Sequence, residues 1–193
     1  MHGIIVQMPL PAQLDSRAVQ AEISPEKDIE GVNPANLGLL VLAKPRFIPC
    51  TAAGVMELLA ATGEKLYGKE AVVVGHSEIV GKPLALLLLA EFATVTVCHT
   101  KTRDIKAHIR RADILVVAVA TPKFITADMV KEGAIVIDVG TNRVEGRLCG
   151  DVDFESVKEK VSYISPVPGG VGPMTVVMLM RNVLLAAKRS LEK

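Results

Sequence analysis

Residues 72–83 read "VVVGHSEIVGKP", an apolar run followed by a glycine-containing turn and the start of a predicted helix. A turn of this kind aims the backbone N–H groups of Gly75, His76 and Ser77, together with the first turn of the helix, at an anion such as a phosphate. Gly75 permits the tight turn, and Gly81 lets the helix pack close to a sheet. The spacing G-x-S-x-x-x-G matches the usual dinucleotide fingerprint only weakly, so an ordinary strand–helix connection is the alternative interpretation.

The segment after the next strand-like run reads "CHTKTR" and contains no carboxylate before Asp104. Proteins that select NAD place an Asp or Glu at this position to hold the ribose 2′-hydroxyl. A 2′-phosphate would instead meet the hydroxyl of Thr100 and the cations of Lys101 and Arg103. The pattern favours NADP over NAD, although basic residues of this kind are also typical of a solvated loop.

A second glycine-rich segment, "PVPGGVGPMT", has three glycines and three prolines in its first eight residues. The prolines stiffen its ends, while Gly169, Gly170 and Gly172 leave the backbone exposed in the middle. Such a loop lets a flat ligand approach the main chain closely and leads directly into a predicted helix. A structural linker would rarely need this composition, which makes the loop the most specific local signal in the chain.

Three polar residues among the first 30 positions are further candidates. Gln7 is a lone amide in the otherwise apolar run "IIVQMPLP", and it must find a hydrogen-bonding partner. Such an amide is more often satisfied within a core than catalytic. Asp28 and Glu30, in "KDIEG", flank a predicted turn and would ordinarily be solvated loop acids. The four histidines show no metal-ligand spacing, and no Ser/His/Asp set has the context of a nucleophile elbow.

Five short, mostly β-branched and apolar segments predict strands that are buried on both faces of a parallel sheet. They are residues 70–74, 94–98, 114–118, 134–139 and 161–164. Helices are predicted between the first four strands, at 82–91, 104–111 and 126–131. This alternation predicts an α/β fold with a doubly wound, Rossmann-like domain over residues 64–173.

The segments outside this domain predict further elements. Residues 1–63 contain a strand predicted at 4–6, helices at 16–23 and 51–62, and a loop at 24–38. The strand at 4–6 has no upstream neighbour to satisfy its backbone, so we expect the chain to begin inside a domain. The helix predicted from Met174 onward is apolar on most sides at its start and must be covered by another element.

The composition is that of a globular protein with an aliphatic core, since 50% of its 193 residues are hydrophobic and only 3% are aromatic. The net charge of +1 gives no indication of a nucleic-acid or membrane-surface protein. Cys50, Cys98 and Cys149 lack C-x-x-C spacing, which argues against a zinc site or a disulfide framework and favours a reducing cytosol. We therefore expect a cytoplasmic protein that binds neither nucleic acid nor membranes and holds no metal.

Taken together and in order, these stretches resemble one family, the bifunctional methylenetetrahydrofolate dehydrogenase/cyclohydrolases. The resemblance covers essentially the whole chain, and its longest motifs are very specific. They are "HGIIVQMPLP", "PEKDIEGVNPANLG", "FIPCTAAGVMELL", "VVVGHSEIVGKPLALLL", "ATVTVCHTKT", "GAIVIDVGTN", "GDVDF" and "ISPVPGGVGPMT".

Membership of that family implies two activities in one cleft. A hydride passes from the methylene bridge of 5,10-methylenetetrahydrofolate to the nicotinamide of NADP and leaves a methenyl cation. Water then adds, and ring opening gives 10-formyltetrahydrofolate. The resemblance further implies a homodimer that acts in one-carbon metabolism and purine biosynthesis. Residues 1–63, completed by 174–193, would be the remnant of an N-terminal folate-binding and catalytic domain, and residues 64–173 the NAD(P)-binding domain.

The resemblance assigns the cofactor side of the cleft to residues of the two strand-following turns. Gly75, His76, Ser77 and Thr100 would bind the NADP phosphates, and Thr141 would lie beside the nicotinamide. His76 stands where many members have Arg for the 2′-phosphate. Some members lack Arg there as well, so NADP remains the expected cofactor.

The substrate side is assigned by the same resemblance. Gln7 would orient the catalytic lysine, and Glu30 would bind the amino-pyrimidine edge of the pterin, so both are implied to be catalytic. Glu30 replaces the Asp usual in the family, and the longer arm would shift its carboxylate by about one methylene. The residues implied to line the folate side of the cleft are Pro9, Pro168, Gly169, Gly170 and Gly172.

One departure concerns the chemistry directly. The family's catalytic Tyr and Lys form a Y-x-x-x-K motif on an N-terminal helix, and this chain contains none, since neither Tyr67 nor Tyr163 has a lysine four residues later. We therefore expect most of the catalytic domain to be missing and the cyclohydrolase step to be impaired in this chain alone. The alternatives are a non-catalytic NADP-binding module, an interaction protein that associates with a second copy, and another NADP-linked dehydrogenase.

Overall fold

A parallel sheet forms the centre of the computed structural model, which describes residues 1–192. The strands are β1 (Glu70–Val74), β2 (Thr94–Cys98), β3 (Ile114–Val117), β4 (Ile135–Asp138), β5 (Asn142–Val144), β6 (Arg147–Cys149) and β7 (Tyr163–Ile164). Five of them form one sheet in the order β2-β1-β3-β4-β7, with every neighbouring pair parallel. The predicted parallel sheet is confirmed, and its strands begin and end within two residues of the predicted bounds.

Seven α-helices accompany these strands within residues 1–192. They are α1 (Ser16–Glu22), α2 (Pro34–Val41), α3 (Cys50–Ala61), α4 (Gly81–Ala90), α5 (Ile105–Arg110), α6 (Phe154–Val157) and α7 (Val171–Leu191). The predictions at 16–23, 51–62, 82–91 and 104–111 are confirmed to within one residue. The last helix begins at Val171, three residues before the predicted start, so Gly172 and Pro173 form part of its first turn.

The two faces of the sheet pack against different helices, as the doubly wound prediction requires. Val72 and Val74 point to one face, where they form a fully buried cluster with Ile109 of α5. Ala71 and Val73 point to the other face, against α3 and α4. Because successive side chains of a strand alternate between faces, a continuous run of valines can serve both cores at once.

Two predicted elements are wrong. Residues 4–6 do not form a core strand, because only Ile4 pairs, in an isolated bridge to Asp28, and Ile5 is 47% exposed. The backbone there bonds to the neighbouring loop instead, through the N–H of Ile4 to the carbonyl of Lys27 and through the Val6 backbone to Glu30. The helix predicted at 126–131 is reduced to a single 3₁₀ turn, Ala127–Met129.

The predicted loop at 24–38 contains the start of α2, which the sequence interpretation missed although a signal was present. The side chain of Asn33 accepts a hydrogen bond from the N–H of Ala35 at 2.8 Å, and Pro34 occupies the first turn. An Asn N-cap followed by proline is a common helix start. The short hairpin of β5 and β6 and the single turn of α6 were missed as well.

Helix α7 runs along α3, and its buried residues are Val171, Met178, Asn182 and Ala186. Within residues 1–192 it is the one helix that is long and apolar enough to cross a membrane, by length and composition only. Core helices of globular proteins share this length and composition. The apolar start of α7 is thus covered on one side by α3, as the sequence led us to expect.

Candidate functional site

The parallel strands bring the predicted cofactor residues to one edge of the sheet. The chain leaves β1 towards β2 on one side and returns to β3 on the other, so the loops after β1 and β3 diverge and leave a crevice. A cavity of about 970 Å³ occupies this crevice. Its lining includes Gly75, His76, Ser77, His99 and Thr100, so four of the five predicted cofactor residues lie together.

The turn after β1 is close enough to its neighbours that two positions require glycine. Gly75 has φ +132°, and a Cβ there would overlap the carbonyl oxygen of Ala118 at the end of β3. A Cβ on Gly81 would overlap the carbonyl oxygen of Gly75. The two roles predicted for these glycines, a tight turn and close helix packing, are therefore confirmed.

The amides of this turn are not all available to a ligand. The N–H of Gly75 donates to the carbonyl of Cys98 at 2.9 Å, so the prediction that it faces an anion is wrong. The hydroxyl of Ser77 accepts from the N–H groups of Val80 and Gly81, at 3.2 and 3.4 Å. Within residues 1–192, the N–H groups of His76 and Ser77 donate to no other residue, which leaves these two for an anion.

The segment after β2 was predicted to place no carboxylate where it would repel a phosphate, and the structure agrees. The first carboxylate, Asp104, accepts from the N–H of Ala107 and caps α5. Thr100 and Lys101 are exposed, and Thr102 turns inward to accept from the N–H of His99 at 2.8 Å. The cavity wall at this strand is therefore formed by a histidine and a hydroxyl.

The third wall is the loop after β3, which a buried carboxylate holds in place. Asp151 is fully buried, and its oxygens accept from the N–H groups of residues 119, 120 and 121 at 2.7–3.0 Å. The Nδ2 of Asn142 donates to the same carboxylate at 2.8 Å. The Asp138 carboxylate in turn accepts hydrogen bonds from the backbone N–H groups of Gly140, Asp151 and Val152. Burial raises the pKa of Asp138, although these amide bonds oppose the effect.

A second, smaller cavity of about 160 Å³ adjoins the first. The two share the residues Met8, Gln20, Val32 and Ile79. The polar groups that line the smaller one are Gln7, Gln20, Glu30, Cys50, Thr51 and Thr175. Thr175 lies in the first turns of α7 and contacts the hydroxyl of Thr51 at 3.3 Å. The turn of Gly75, predicted to bind the cofactor, and Glu30, predicted to bind the substrate, thus line neighbouring cavities.

The loop that carries Glu30 is fixed by a buried carboxylate that sequence reasoning had treated as a solvated acid. Asp28 is 1% exposed and accepts from the N–H groups of Gly31 and Asn33 and from the Nδ2 of Asn36, at 3.1, 2.7 and 2.8 Å. Asn182 of α7 donates to the carbonyl of Ile29 at 2.9 Å. No sequence signal marked Asp28, because two of its three donors are backbone N–H groups.

Two groups that line the smaller cavity have shifted pKa values. Burial raises the pKa of Glu30, and the nearby charge of Asp28 acts in the same direction, whereas a hydrogen bond from the Val6 backbone opposes it. Burial, reinforced by Glu30 and Asp28, raises the pKa of the Cys50 thiol to about 11. The cavity therefore disfavours added negative charge and is suited to groups that donate hydrogen bonds to Glu30.

Several predicted residues lie at the margin of the cleft. Gln7 donates to the carbonyl of Met8, so it has the expected partner, but it is exposed, and the expectation that it lies in a core is wrong. Pro9 and Thr141 are exposed and line neither cavity. Residues 168–172 line neither cavity as well, although they follow β7 at the same edge of the sheet and lead into α7. No group of three or more His, Cys, Asp or Glu in residues 1–192 could hold a metal ion.

Comparison with known proteins identifies the family. Residues 49–191 match the model of the tetrahydrofolate dehydrogenase/cyclohydrolase NAD(P)-binding domain. Residues 1–30 match the model of the catalytic domain of the same family. The chain belongs to the tetrahydrofolate dehydrogenase/cyclohydrolase family. It is 60% identical to the bifunctional protein FolD of Bacillus pumilus over 191 residues, which are 98% of this chain and 68% of that protein.

Solved structures of family members have the same fold. FolD methylenetetrahydrofolate dehydrogenase/cyclohydrolase from Campylobacter jejuni superposes with a TM-score of 0.95 at 51% identity, over 97% of this chain and 68% of that one. The Trypanosoma brucei enzyme, solved with NADP and an inhibitor, has a TM-score of 0.95 at 45% identity, over 100% of this chain and 68% of that one. The resemblance inferred from the motifs is thereby confirmed.

Proposed function

We propose that the chain carries the methylenetetrahydrofolate dehydrogenase activity of its family, with NADP as the hydride acceptor, and that the family's cyclohydrolase activity is impaired in this chain alone. The observation that supports this most is the pair of adjoining cavities, one beside the turn of Gly75 and the other beside Glu30. A hydride donor and its acceptor must lie in contact, and two neighbouring hollows that share a wall satisfy this requirement. The family match and the relatives named above support the same reaction.

NADP fits the residues of the larger cavity. The backbone at Gly75 and Gly81 leaves no room for side chains, so a pyrophosphate can approach the main chain and the first turn of α4. The free N–H groups of His76 and Ser77 would donate to it, and Thr100 and His99 would face the ribose phosphate. When bound, the nicotinamide supplies a two-electron acceptor for the hydride.

On the substrate side, we propose that Glu30 binds the pterin. Its carboxylate can accept two parallel hydrogen bonds from an amino-pyrimidine edge, which would also offset the cost of its burial. Gln7 lies at the edge of the smaller cavity, where it would orient the lysine of the family's Y-x-x-x-K motif, which these 193 residues lack. We retain Pro9 and residues 168–172, including Pro168, Gly169, Gly170 and Gly172, as contacts of bound folate, and Thr141 as a contact of the nicotinamide.

The cyclohydrolase step needs a group that moves protons at the bridging carbon. The Y-x-x-x-K motif that serves this purpose in the family is absent from the 193 residues. The dehydrogenase step requires only that substrate and acceptor be held together, so we propose that it is the less affected of the two.

The test is a steady-state assay of the purified chain with 5,10-methylenetetrahydrofolate and NADP. Reduced cofactor reports the first step, and nuclear magnetic resonance of the formyl carbon reports the second. We expect measurable hydride transfer and little or no 10-formyltetrahydrofolate above the uncatalysed rate. Robust formation of the formyl product would disprove the assignment of the second step to the missing motif.

A second candidate function is NADP binding without catalysis, because four of the five predicted cofactor residues line the larger cavity while the substrate pocket is small. Calorimetric titration that shows heat with NADP and none with the folate would support this candidate over the first. We further propose a cytoplasmic homodimer that acts in purine biosynthesis and binds neither nucleic acid nor membranes. Sedimentation as a monomer at high concentration would contradict the dimer.

A further inference from the structure

Asn182 is a buried polar residue in the middle of the mostly apolar helix α7, where it is 8% exposed. Its Nδ2 donates to the carbonyl of Ile29 at 2.9 Å and to the carbonyl of Ile48 at 3.0 Å. The amide nitrogen carries two hydrogens, so both are used. One side chain of α7 therefore bonds to two separate segments, the loop that carries Glu30 and the segment that leads into α3.

The first of these hydrogen bonds fixes the peptide unit that leads into Glu30. The carbonyl of Ile29 and the N–H of Glu30 belong to one planar unit, so a bond that holds the first also orients the second. The thiol of Cys50 donates to the same carbonyl at 3.5 Å. On the other side of Glu30, the N–H of Gly31 donates to the carboxylate of Asp28 at 3.1 Å. The main chain is thus anchored both before and after Glu30.

The second hydrogen bond fixes the segment against which this loop packs. Ile48 precedes Pro49, which lines the smaller cavity together with Glu30. Gly31 has φ +74°, and a Cβ there would lie 2.8 Å from the carbonyl carbon of Ile48 and from the nitrogen of Pro49. The two segments are therefore in direct contact, and Asn182 bonds to both of them where they meet. A shift of either segment would move Glu30 relative to the opposite wall of the cavity.

Stability alone does not require an amide at position 182. A buried amide is unfavourable unless its groups are paired, and a leucine of similar volume would pack against α3 without that requirement. The amide adds direction, since each of its N–H groups must point at a carbonyl. Thr175 lies seven residues earlier, on the same face of α7, and contacts the hydroxyl of Thr51 in the wall of the smaller cavity. One face of α7 thus makes polar contacts to several parts of that wall.

We propose that Asn182 is a positioning residue of the smaller cavity, which orients the carboxylate of Glu30 towards a ligand with an amino-pyrimidine edge. Asn182 does not itself line this cavity, so it acts on the ligand through Glu30. Two parallel hydrogen bonds to a carboxylate depend on its orientation, so a displaced Glu30 would keep its charge and still bind less tightly. This inference rests on the proposed function, because it concerns the substrate side of that same site.

The test is a double-mutant cycle. Calorimetry gives the dissociation constants for tetrahydrofolate and for NADP of the unaltered chain, Asn182→Leu, Glu30→Gln and the double variant. We expect Asn182→Leu to weaken tetrahydrofolate binding about tenfold, the size of one charge-assisted hydrogen bond, and to leave NADP binding unchanged. Because Asn182 acts through Glu30, the same substitution should weaken binding less than about twofold once Glu30 is Gln.

Two further variants separate positioning from a general loss of packing. Asn182→Ser keeps one donor, so we expect a smaller loss of tetrahydrofolate affinity, of about threefold. Val157→Ala is the matched control for stability, because it leaves a space in the core on the opposite face of the sheet. It should lower the urea concentration at which the chain unfolds and leave the tetrahydrofolate dissociation constant unchanged.

Each outcome decides a separate point. An unchanged tetrahydrofolate affinity in Asn182→Leu, or an equal loss with and without the Glu30 carboxylate, overturns the inference and leaves the proposed function intact. A parallel loss of NADP affinity overturns it too, since that result reports a general loosening of the chain. Absence of tetrahydrofolate binding to the unaltered chain refutes the proposed function, and the inference falls with it. If Asn182→Leu does not unfold cooperatively, Asn182→Ser takes its place in the cycle and decides.

Discussion

Arg17 and Glu78 form a two-pronged ion pair on the wall of the larger cavity, with Nε to Oε2 at 3.1 Å and Nη2 to Oε1 at 2.9 Å. Arg17 belongs to α1 and Glu78 to the turn after β1, so the pair connects the N-terminal segment to the nucleotide turn. Both side chains are largely exposed, and pairs of this kind contribute at most about 1 kcal/mol to stability. The larger effect of Glu78 is its negative charge beside the expected phosphates.

We expect Glu78→Gln to bind NADP more tightly than the unaltered chain, by about threefold to tenfold at low ionic strength. The change removes a carboxylate and frees Arg17 and Lys82 to interact with the ligand. Titrations at rising salt concentration should show the advantage shrinking. Equal affinities at low salt would mean that the phosphates bind elsewhere.

The glycine of the nucleotide turn gives a second prediction. Gly75→Ala should lower the free energy of unfolding by about 2–4 kcal/mol and abolish dinucleotide binding, because φ is +132° and the new methyl would overlap the carbonyl of Ala118. Gly63→Ala is the matched control. Gly63 also has a positive φ but faces open space, so only about 1 kcal/mol should be lost. Denaturant unfolding of both variants provides the measurement.

The three central strands β1, β3 and β4 were predictable because they are buried on both faces and are therefore almost continuous runs of apolar residues. The edge strands β2 and β7 are partly exposed, so the expectation that all five are buried on both faces is wrong for these two. The hairpin of β5 and β6 was not predictable, since its residues are mostly polar or exposed and carry no alternation to detect. Residues 4–6 have the apolar, β-branched composition of a buried strand. Composition alone could not reveal that Ile4 would find one bridging partner and Ile5 would stay exposed.

Asp151→Asn should destabilise the chain by about 2–4 kcal/mol, because the new Nδ2 group would face amides that also donate. Val119 of this loop lines the larger cavity, so NADP affinity should fall as well. Glu155→Gln, on the exposed side of α6, is the control and should stay within about 0.5 kcal/mol. Unfolding by urea together with NADP titration tests both parts. Unchanged stability would show that the loop keeps its conformation without this carboxylate.

Thiol labelling tests the environment of the smaller cavity. With a pKa of about 11, the Cys50 thiol is almost entirely protonated near pH 8, and the thiolate is the reactive form. We expect iodoacetamide to modify the half-exposed Cys149 first, while labelling of Cys50 accelerates about tenfold per pH unit. Mass spectrometry of peptides locates the label. Rapid modification of Cys50 in the folded chain near pH 8 would be incompatible with its burial.

The raised pKa of Glu30 predicts how stability depends on pH. The unfolded chain ionises this carboxyl near 4.5, whereas the folded chain does so at a higher pH. As the pH rises through that interval, the unfolded state gains more from ionisation, so the unaltered chain loses stability relative to Glu30→Gln. Below pH 4.5 the free energies of unfolding of the unaltered chain and of Glu30→Gln should change with pH in the same way. Glu132→Gln, on an exposed loop, is the control, and a constant difference across the range would contradict the prediction.

The candidate site was partly predictable for a related reason. Gly75, Ser77 and Thr100 follow strands, and parallel topology gathers whatever follows the strands at one edge. The support beneath them could not be foreseen, because Asp28 and Asp151 look like ordinary loop acids until the chain folds around them. Their donors come mainly from backbone amides, which every sequence contains and no sequence pattern marks.

The carboxylate of Asp151 occupies a bend of three successive amides at which Ala120 has φ +53°. Such a bend would otherwise capture anions from solution. Because the Asp151 side chain already occupies this bend, an acidic inhibitor cannot bind there. It has to compete with the nucleotide phosphates at the turn of His76. Chemists who wish to target this enzyme should therefore place their negative groups to imitate the nucleotide.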